Sequence, residues 1–332
     1  MARCLPRLLA VVGALLAAPA ARAADYTIAI SSGLDLLSVA TAPSGDTVLR
    51  INPASGAVSV PTGSGRRVST AAANAKVTVT CKPHGGGDTD CTTRTVPIRI
   101  GAIGAVNGRA KALSLFTIAM GTAGLATPPT GTNPVAFELA PLGDNSPKTF
   151  FVGADFPVAG DDSGLPSGAG QNSFYVYVLD QAGLQAAGET GSGAVNAFRP
   201  LSITKTGDLN FGRIQLPPSG TSKITLNPAT GVRTVSGSGF GYPTPEPTRG
   251  AFTASGEGGQ LFSLTIPIKV TLTGPGTLVV GLTAAGDTVP RLSGGLGAPG
   301  TYSFTLGGSF TINSTTPTGV YTGVVTVSID YN

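Results

Sequence analysis

The sequence predicts an all-β fold built as tandem antiparallel sandwiches, and three observations lead there. The first is composition. The 332 residues include 48 Gly and 26 Pro but no Trp and 2 Met, with 11% charged against 41% hydrophobic residues. β-Branched residues abound and long helix formers are scarce, as in strands joined by Gly/Pro turns. The second is apolar alternation at period two in one segment after another. The third is a pattern of turns that occurs twice. Low charge with this much apolar material excludes a disordered chain, and roughly 310 residues beyond the leader are enough for two domains.

The leader is the first element. "MARCLPRLLAVVGALLAAPAARA" places Arg3 and Arg7 before an apolar run from Leu8 to Ala18, then Pro19 and Ala21-Arg22-Ala23. That order reads as a signal peptide over 1–23, cleaved between Ala23 and Ala24. The run is shorter than the roughly 20 residues that span a bilayer, and no later stretch is longer. The expectation is an exported protein (periplasm, cell surface or secreted) with no membrane attachment once the leader is gone. Three of the 21 basic residues lie in the leader and none of the 17 acidic ones, so the remaining chain is near +1. That excludes a nucleic-acid footprint. The densest basic pair, Arg66 and Arg67, reads as a solvated loop.

Strand patterns follow in order. "DYTIAI" alternates Tyr26, Ile28 and Ile30; "KVTVTC" alternates Val77, Val79 and Cys81. "KALSLFTIAM" alternates Leu113, Leu115 and, after a slip at Phe116, Ile118; "NSFYVYVL" alternates Phe174, Val176 and Val178. Each has one apolar face, as in a half-buried antiparallel strand. Only "GLQAAGET" hints at a helix. Of three cysteines, Cys4 leaves with the leader. Cys81 and Cys91 are then an even pair in an oxidising compartment, where one disulfide is expected. It would clip the neck of a hairpin whose tip is "KPHGGGDTD".

The repeat organises the rest. "ISSGLDLLSVATAPSGDTVLRINPASGAVSV" from Ile30 lines up with "ITKTGDLNFGRIQLPPSGTSKITLNPATGVRTV" from Ile203. Both carry a Pro-Ser-Gly turn and an Asn-Pro-Ala-Ser/Thr-Gly turn, with Pro53 and Pro228 fixing φ, Asn52 and Asn227 able to cap, and Gly56 and Gly231 releasing the next strand. "KTFFVGADFPVAG" resembles "YSFTLGGSFTIN", and "NSFYVYVLD" resembles "TGVVTVSIDY". The expected organisation is two tandem immunoglobulin-like antiparallel β-sandwiches: a first repeat over 24–182 with the cysteine hairpin, a flexible linker over 183–195, and a second repeat over 196–332.

No constellation points to catalysis. His84-Gly85-Gly86-Gly87 spells the oxyanion loop of some lipases, but no Gly-x-Ser-x-Gly nucleophile elbow occurs and His84 is the only histidine. Asp88 and Asp90, completed by Asp161 and Asp162, offer a weak calcium alternative, short of the six or more oxygens calcium takes; exposed solubilising charges are the plainer reading. "GSGFG" at Gly237 precedes Pro243, Pro245 and Pro247, where a dinucleotide loop would start a helix. No enzyme, metal or cofactor is expected. The last segment, "PTGVYTGVVTVSIDYN", reads as a long strand, apolar on one side and mixed on the other. Val320, Tyr321, Val325, Val327, Ile329 and Tyr331 are its candidate strand-pairing residues, at an edge able to join another chain.

"RPLSITKTGDLNFGRI", the Asn227-Pro228-Ala229 turn, "GAFTASGEGGQLFSLTIP", "YSFTLGGSFTI" and the closing "GVYTGVVTVSIDYN" together resemble the bacterial exported domain-of-unknown-function family 4402. The resemblance covers nearly all of the second repeat and only the opening and final segments of the first. Its general plan is similar to that of fimbrial subunits, in which an incomplete sandwich is completed by a neighbour's strand. It implies self-assembly, or a periplasmic chaperone as partner, through β-strand addition; it implies no site residues. The expected function is a non-enzymatic structural or adhesive protein. The alternative is a glycan- or ligand-binding module using first-repeat loops near Cys81–Cys91 and Gly160–Asn172.

Overall fold

The computed structural model describes residues 24–332 apart from Gly86 and Thr288. The leader, with Ala23, lies outside the described residues. The chain is all-β. The strands up to Phe198 are β1 (Asp25–Ser32), β2 (Leu34–Ala40), β3 (Thr47–Ile51), β4 (Val58–Thr62), β5 (Arg66–Arg67), β6 (Ala75–Lys82) and β7 (Val96–Asn107). They continue with β8 (Ser114–Met120), β9 (Leu125–Thr130), β10 (Val135–Leu139), β11 (Lys148–Val158), β12 (Gly168–Leu179) and β13 (Gln185–Phe198). After it come β14 (Ser202–Gly207), β15 (Ile214–Gln215), β16 (Thr221–Leu226), β17 (Arg233–Ser236), β18 (Phe240–Gly241) and β19 (Gly250–Glu257). The last are β20 (Phe262–Thr265), β21 (Lys269–Thr273), β22 (Thr277–Ala285), β23 (Pro299–Asn313) and β24 (Ser328–Tyr331). Among the described residues, strands β1–β13 pair only with one another, and so do β14–β24.

The two sets share one sheet. In the first it runs β1-β6-β11-β3-β4 with β8 on β11; in the second it runs β14-β19-β23-β16-β17 with β22 on β23. The duplicated turns explain the match. Asn52 Oδ1 accepts the Ala54 and Ser55 amides at 2.9 and 3.1 Å; Asn227 Oδ1 accepts those of Ala229 and Thr230 at 2.8 and 3.1 Å. Gly56 and Gly231 sit at φ 68° and 76°, a region that favours glycine. The turn leans on the strand behind it. A Cβ at Gly153 of β11 would overlap the Ile51 carbonyl, and one at Gly307 of β23 would overlap that of Leu226. "FVGADF" and "TLGGSF" therefore keep glycine at the same place for the same reason.

The second sheet differs. In the first repeat it has seven strands, β5-β2-β13-β12-β7-β10-β9, and closes over the shared sheet. β13 is antiparallel to β12 and parallel to β2, from Gly193 beside Leu34 to Phe198 beside Ala40. Leu34, Leu36, Val77, Val79, Phe150, Phe174 and Val176 belong to one continuous buried core. The expected alternations hold: Val77, Val79 and Cys81 are buried on β6, and Phe174, Val176 and Val178 on β12. The slip in "KALSLFTIAM" falls at Leu115, whose φ of 47° turns Phe116 inward.

Two expectations are corrected. Residues 183–195 are not a flexible linker: Gln185 onward is β13, paired with β12 along its length and with β2 from Gly193. Its Gly and Ala content is a packing requirement, because the Phe174 ring occupies the space a Cβ at Gly191 would need. The helix hinted by "GLQAAGET", residues 183–190, is instead the end of a turn followed by the start of that strand.

Cys81 and Cys91 form the expected disulfide, with Cα atoms 5.6 Å apart. It does not clip a hairpin, because β6 and β7 belong to different sheets and do not pair; it closes the connection between the sheets, which enters the single-turn helix α1 (Asp90–Thr93). Arg66 is solvated as expected, its side chain 54% exposed, whereas Arg67 is half-buried. Arg67 donates to the carbonyls of Leu36 and Ala71 at 2.8 and 2.7 Å, and Arg66 pairs with Asp330 of the second repeat.

The repeats meet at a built joint. Phe198 and Ala40 pack with Ala254, Phe262, Leu292 and Tyr331. Glu257, fully buried, accepts from the Arg199 guanidinium at 3.1 Å and the Gly297 amide at 2.5 Å. The Tyr331 hydroxyl donates to the Arg199 carbonyl at 2.9 Å and accepts the Glu257 amide at 2.7 Å.

Candidate functional site

The site that stands out is an opening in the second repeat. Its rims can be traced strand for strand to the first. On one side, Leu209, Phe211 and Ile214 stand 175 positions after Leu34, Leu36 and Val39 of β2. The local geometry is the same. Asp35 Oδ1 accepts the Leu37 amide at 2.8 Å, as Asn210 Oδ1 accepts that of Gly212 at 2.8 Å, and Leu37 and Gly212 both have positive φ. Arg67 donates to the Leu36 carbonyl, and Arg233 to that of Phe211 at 2.7 Å. On the other side, Pro317-Thr318-Gly319 repeats Pro166-Ser167-Gly168 ahead of β12. β24 pairs with β20 as the end of β12 pairs with β7: Ile329 opposite Leu264, Val178 opposite Ile98.

The first repeat holds β13 between these two elements. In the second, no strand among the described residues stands between them. The consequence is visible in burial. Leu34, Leu36 and Val39 are fully buried, whereas Leu209, Phe211 and Ile214 are only half-buried. Between the rims lies a cavity of about 1260 Å³, floored by Phe252, Val270, Leu272, Val280, Leu306 and Phe310. Protein interiors are close-packed, with few voids larger than a water molecule, and pockets for small ligands run to about 300–1,000 Å³. This groove is larger than that range, and the surface that lines it is predominantly apolar. Buried apolar contact inside the second repeat is correspondingly thin: Ile224, Val280, Phe310 and Ile312 form a small cluster of their own.

The sequence-derived pairing residues sit on this rim, with a correction. The closing segment is not one long strand. It pairs as β24 only from Ser328, and before that Thr322 makes a single bridge with Thr273. Its side chains still alternate. Tyr321, Val325, Val327 and Ile329 are half-buried and Tyr331 buried, while Val320 and Val324 point out, 80% and 85% exposed. Tyr321 and Val325 line the groove, Tyr331 belongs to the joint, and Val320 is on the opposite parity from the rest. An extended stretch with one missing neighbour leaves backbone amides and carbonyls unpaired by any ladder, the condition that invites another strand. Burial pushes the Tyr331 hydroxyl up to about 12. Sequence reading missed the other rim, 207–216. Its signal was present: it aligns with β2, a strand sandwiched between two others.

The remaining candidates are not brought together. Asp88 is a local cap, accepting the His84 and Asp90 amides at 2.9 Å each, and these bonds hold its carboxyl below the usual range. Asp90 pairs with Arg94. Asp161 pairs with buried Arg109 at 2.6 Å, and Asp162 accepts the Gly45 amide. The disulfide-closed loop lies by Asp180, past the end of β12, while the 160–167 loop precedes its start, with Ser167 bonded to Arg199 at the joint. Twelve strand residues separate them by roughly 35–40 Å. The calcium alternative and the shared-loop ligand surface both fail on that distance. No cluster of three or more metal-ligating side chains occurs among the described residues.

With this geometry in view, the comparisons fall into place. Residues 201–331 match the family model of a domain of unknown function, DUF4402. The DUF4402 match thus spans the open repeat from β14 to β24 and both rims of the groove. No curated protein matches the chain. Among solved structures it is similar to the CsuC–CsuE chaperone–tip adhesion subunit pre-assembly complex from the archaic chaperone–usher Csu pili of Acinetobacter baumannii. That likeness has 8% identity and a TM-score of 0.28, covering 91% of this chain and 99% of the other. A chaperone–tip adhesin complex described for CFA/I fimbriae biogenesis shows 10% identity and a TM-score of 0.23, covering 72% of this chain and 92% of that one. At that level of overlap neither neighbour bears on what this chain binds.

Proposed function

We propose that the protein is an exported, non-enzymatic structural or adhesive subunit of a fimbria-like assembly. Its second repeat is an acceptor, completed by a β-strand from another polypeptide; its first repeat is complete. The supporting observation is internal: the counterpart of β13 is missing between two rims that otherwise reproduce its neighbours in the first repeat. A groove that is apolar on its floor and unpaired on its rim recruits an extended segment through main-chain hydrogen bonds and alternate side chains. The donor is a neighbouring subunit in the assembly, with a periplasmic chaperone holding the slot beforehand. The chain divides into two domains at Arg199–Pro200. The glycan-binding alternative has no observation in its favour, since the two loops it needs lie at opposite ends of the first repeat.

The test uses the full chain and a synthetic peptide alternating Ile or Val with Thr. Hydrogen exchange should slow at 318–327 on addition, and the second repeat should melt later, with 24–198 unchanged. If 318–327 already exchanges as slowly as β12 in the free protein, and the peptide changes nothing, the reading is wrong.

A further inference from the structure

Given that strand-completion reading, the rim of the groove also points to a charge on its occupant. Lys205, Asp208 and Arg213 are the charged residues that line it. Lys205 and Asp208 answer each other, Nζ to Oδ1 at 2.6 Å. Among the described residues, Arg213 enters no ion pair and its guanidinium donates no hydrogen bond. Nearby arginines are already engaged: Arg233 donates to the Phe211 and Tyr242 carbonyls at 2.7 and 2.6 Å, and Arg249 to the Pro228 carbonyl at 3.3 Å. The Arg213 guanidinium instead stands over the Tyr242 ring, its Cζ 4.9 Å from the centroid. The ring is held in turn. Its hydroxyl donates to Gln215 Oε1 at 2.9 Å, the Tyr242 amide donates to the Arg213 carbonyl at 2.9 Å, and Phe240 packs edge-on with it at 5.3 Å. An aromatic face attracts a guanidinium and leaves its planar fork of N–H donors for a carboxylate.

The first repeat shows what stands beside this position when the strand is present. Arg213 comes 175 positions after Ser38, and Ser38 lies beside Asn196 of β13. Asn196 is on the outward parity of β13, flanked by buried Val195 and Ala197. We infer that Arg213, backed by Tyr242, is a carboxylate-recognition point: the strand that completes the second repeat carries Asp or Glu on its outward face, where β13 carries Asn196. Such a pair is open to solvent and adds modestly to affinity. Its main effect is on register. A strand that enters two residues out of place still turns its apolar side chains to the floor, because side chains alternate with period two. The outward carboxylate distinguishes the two placements. A β13 strand from a second copy would bring a neutral amide to Arg213, so the occupant is an acid-bearing segment rather than a copy of β13.

Two synthetic peptides test this on the full chain. Both alternate Ile with Thr, both are acetylated and amidated so that no terminal charge remains, and one central Thr is changed to Glu in the first and to Lys in the second. At low ionic strength the Glu peptide should bind about three- to fivefold more tightly, the range of an exposed ion pair. The preference should shrink as salt is raised toward 1 M. Arg213→Gln, a change at an exposed residue, should abolish it without weakening the Lys peptide. Arg213→Lys should keep only part of it, because an ammonium has neither the planar fork nor the ring stack. Tyr242→Ala should lower it by freeing the guanidinium. Equal binding of the two peptides to the native chain overturns the assignment of Arg213 while strand completion stands. A preference for Glu that persists in Arg213→Gln, or that ignores salt in the native chain, overturns it too. If neither peptide binds the native chain at any salt concentration, strand completion fails and this assignment falls with it.

Discussion

The two repeats share a sheet and differ in whether they close it. Strand order, the Asn-Pro-Ala turn, the left-handed Gly after it and the glycine beneath it are the same in both. Yet the first repeat buries a continuous core and the second holds a cavity of about 1260 Å³. The difference is one strand. β13 lies between β12 and β2, and each depends on it for hydrogen bonds and cover. In the second repeat both neighbours change character: among the described residues, 207–216 keeps the end of β14, a bridge from Asn210 to Thr248 and the two residues of β15, and 318–327 keeps a single bridge. A sandwich core is cooperative in this sense, because a strand stays extended and buried only while both flanks are satisfied.

The largest test of the comparison is to supply the strand covalently. A segment alternating Ile with Thr, joined after Asn332 through a flexible Gly/Ser linker, should raise the melting temperature of the second repeat by about 10 °C or more. The same segment with Gly in place of each Ile should do much less, and calorimetry of the two fusions separates them. Next in size is the shared glycine. Gly153→Ala and Gly307→Ala each push a methyl into a carbonyl, at about 3 kcal/mol, and denaturant titration should find both repeats hurt by the same defect. Equal tolerance in either would break the equivalence of the turns.

The joint comes third. Tyr331 is neutral until about pH 12 in the folded chain but ionises near 10 when unfolded. Its contribution is present below pH 10 and is lost as pH rises from there through 12, because the unfolded chain releases the proton first. Alkaline titration of stability should show a fall on the order of 2 kcal/mol across that window. Tyr331→Phe should flatten it, at a cost of about 1 kcal/mol near neutrality for the two lost hydrogen bonds. Smallest are Asn52→Ala and Asn227→Ala, about 1 kcal/mol each; matched losses by chemical denaturation sharpen the repeat, and a loss in only one blurs it.

Much of the fold was legible in the chain. Alternation located β1, β6 and β12, the paired Pro and Asn turns located the repeat, and two cysteines in an exported context located the disulfide. These are local signals: a φ that only glycine tolerates, a side-chain period of two, a ten-residue loop. Three readings went astray for one reason. "GLQAAGETGSGAVNA" looks like a linker because glycine loosens an isolated chain, but Gly191 is small because Phe174 already fills its place. "PTGVYTGVVTVSIDYN" looks like one long strand because its alternation is sound, but pairing depends on a neighbour that 318–327 lacks. Arg67 looks solvated because its partner, the Leu36 carbonyl, is remote in sequence.

By itself, then, the sequence determined the elements, their turns and their duplication, since backbone sterics and apolar period act within a few residues. Only the tertiary structure decided which repeat is closed, where the two meet and which edge is left open. Closure is a sum over strands far apart in the chain, and no pattern within a few residues records which strand lies on the other flank.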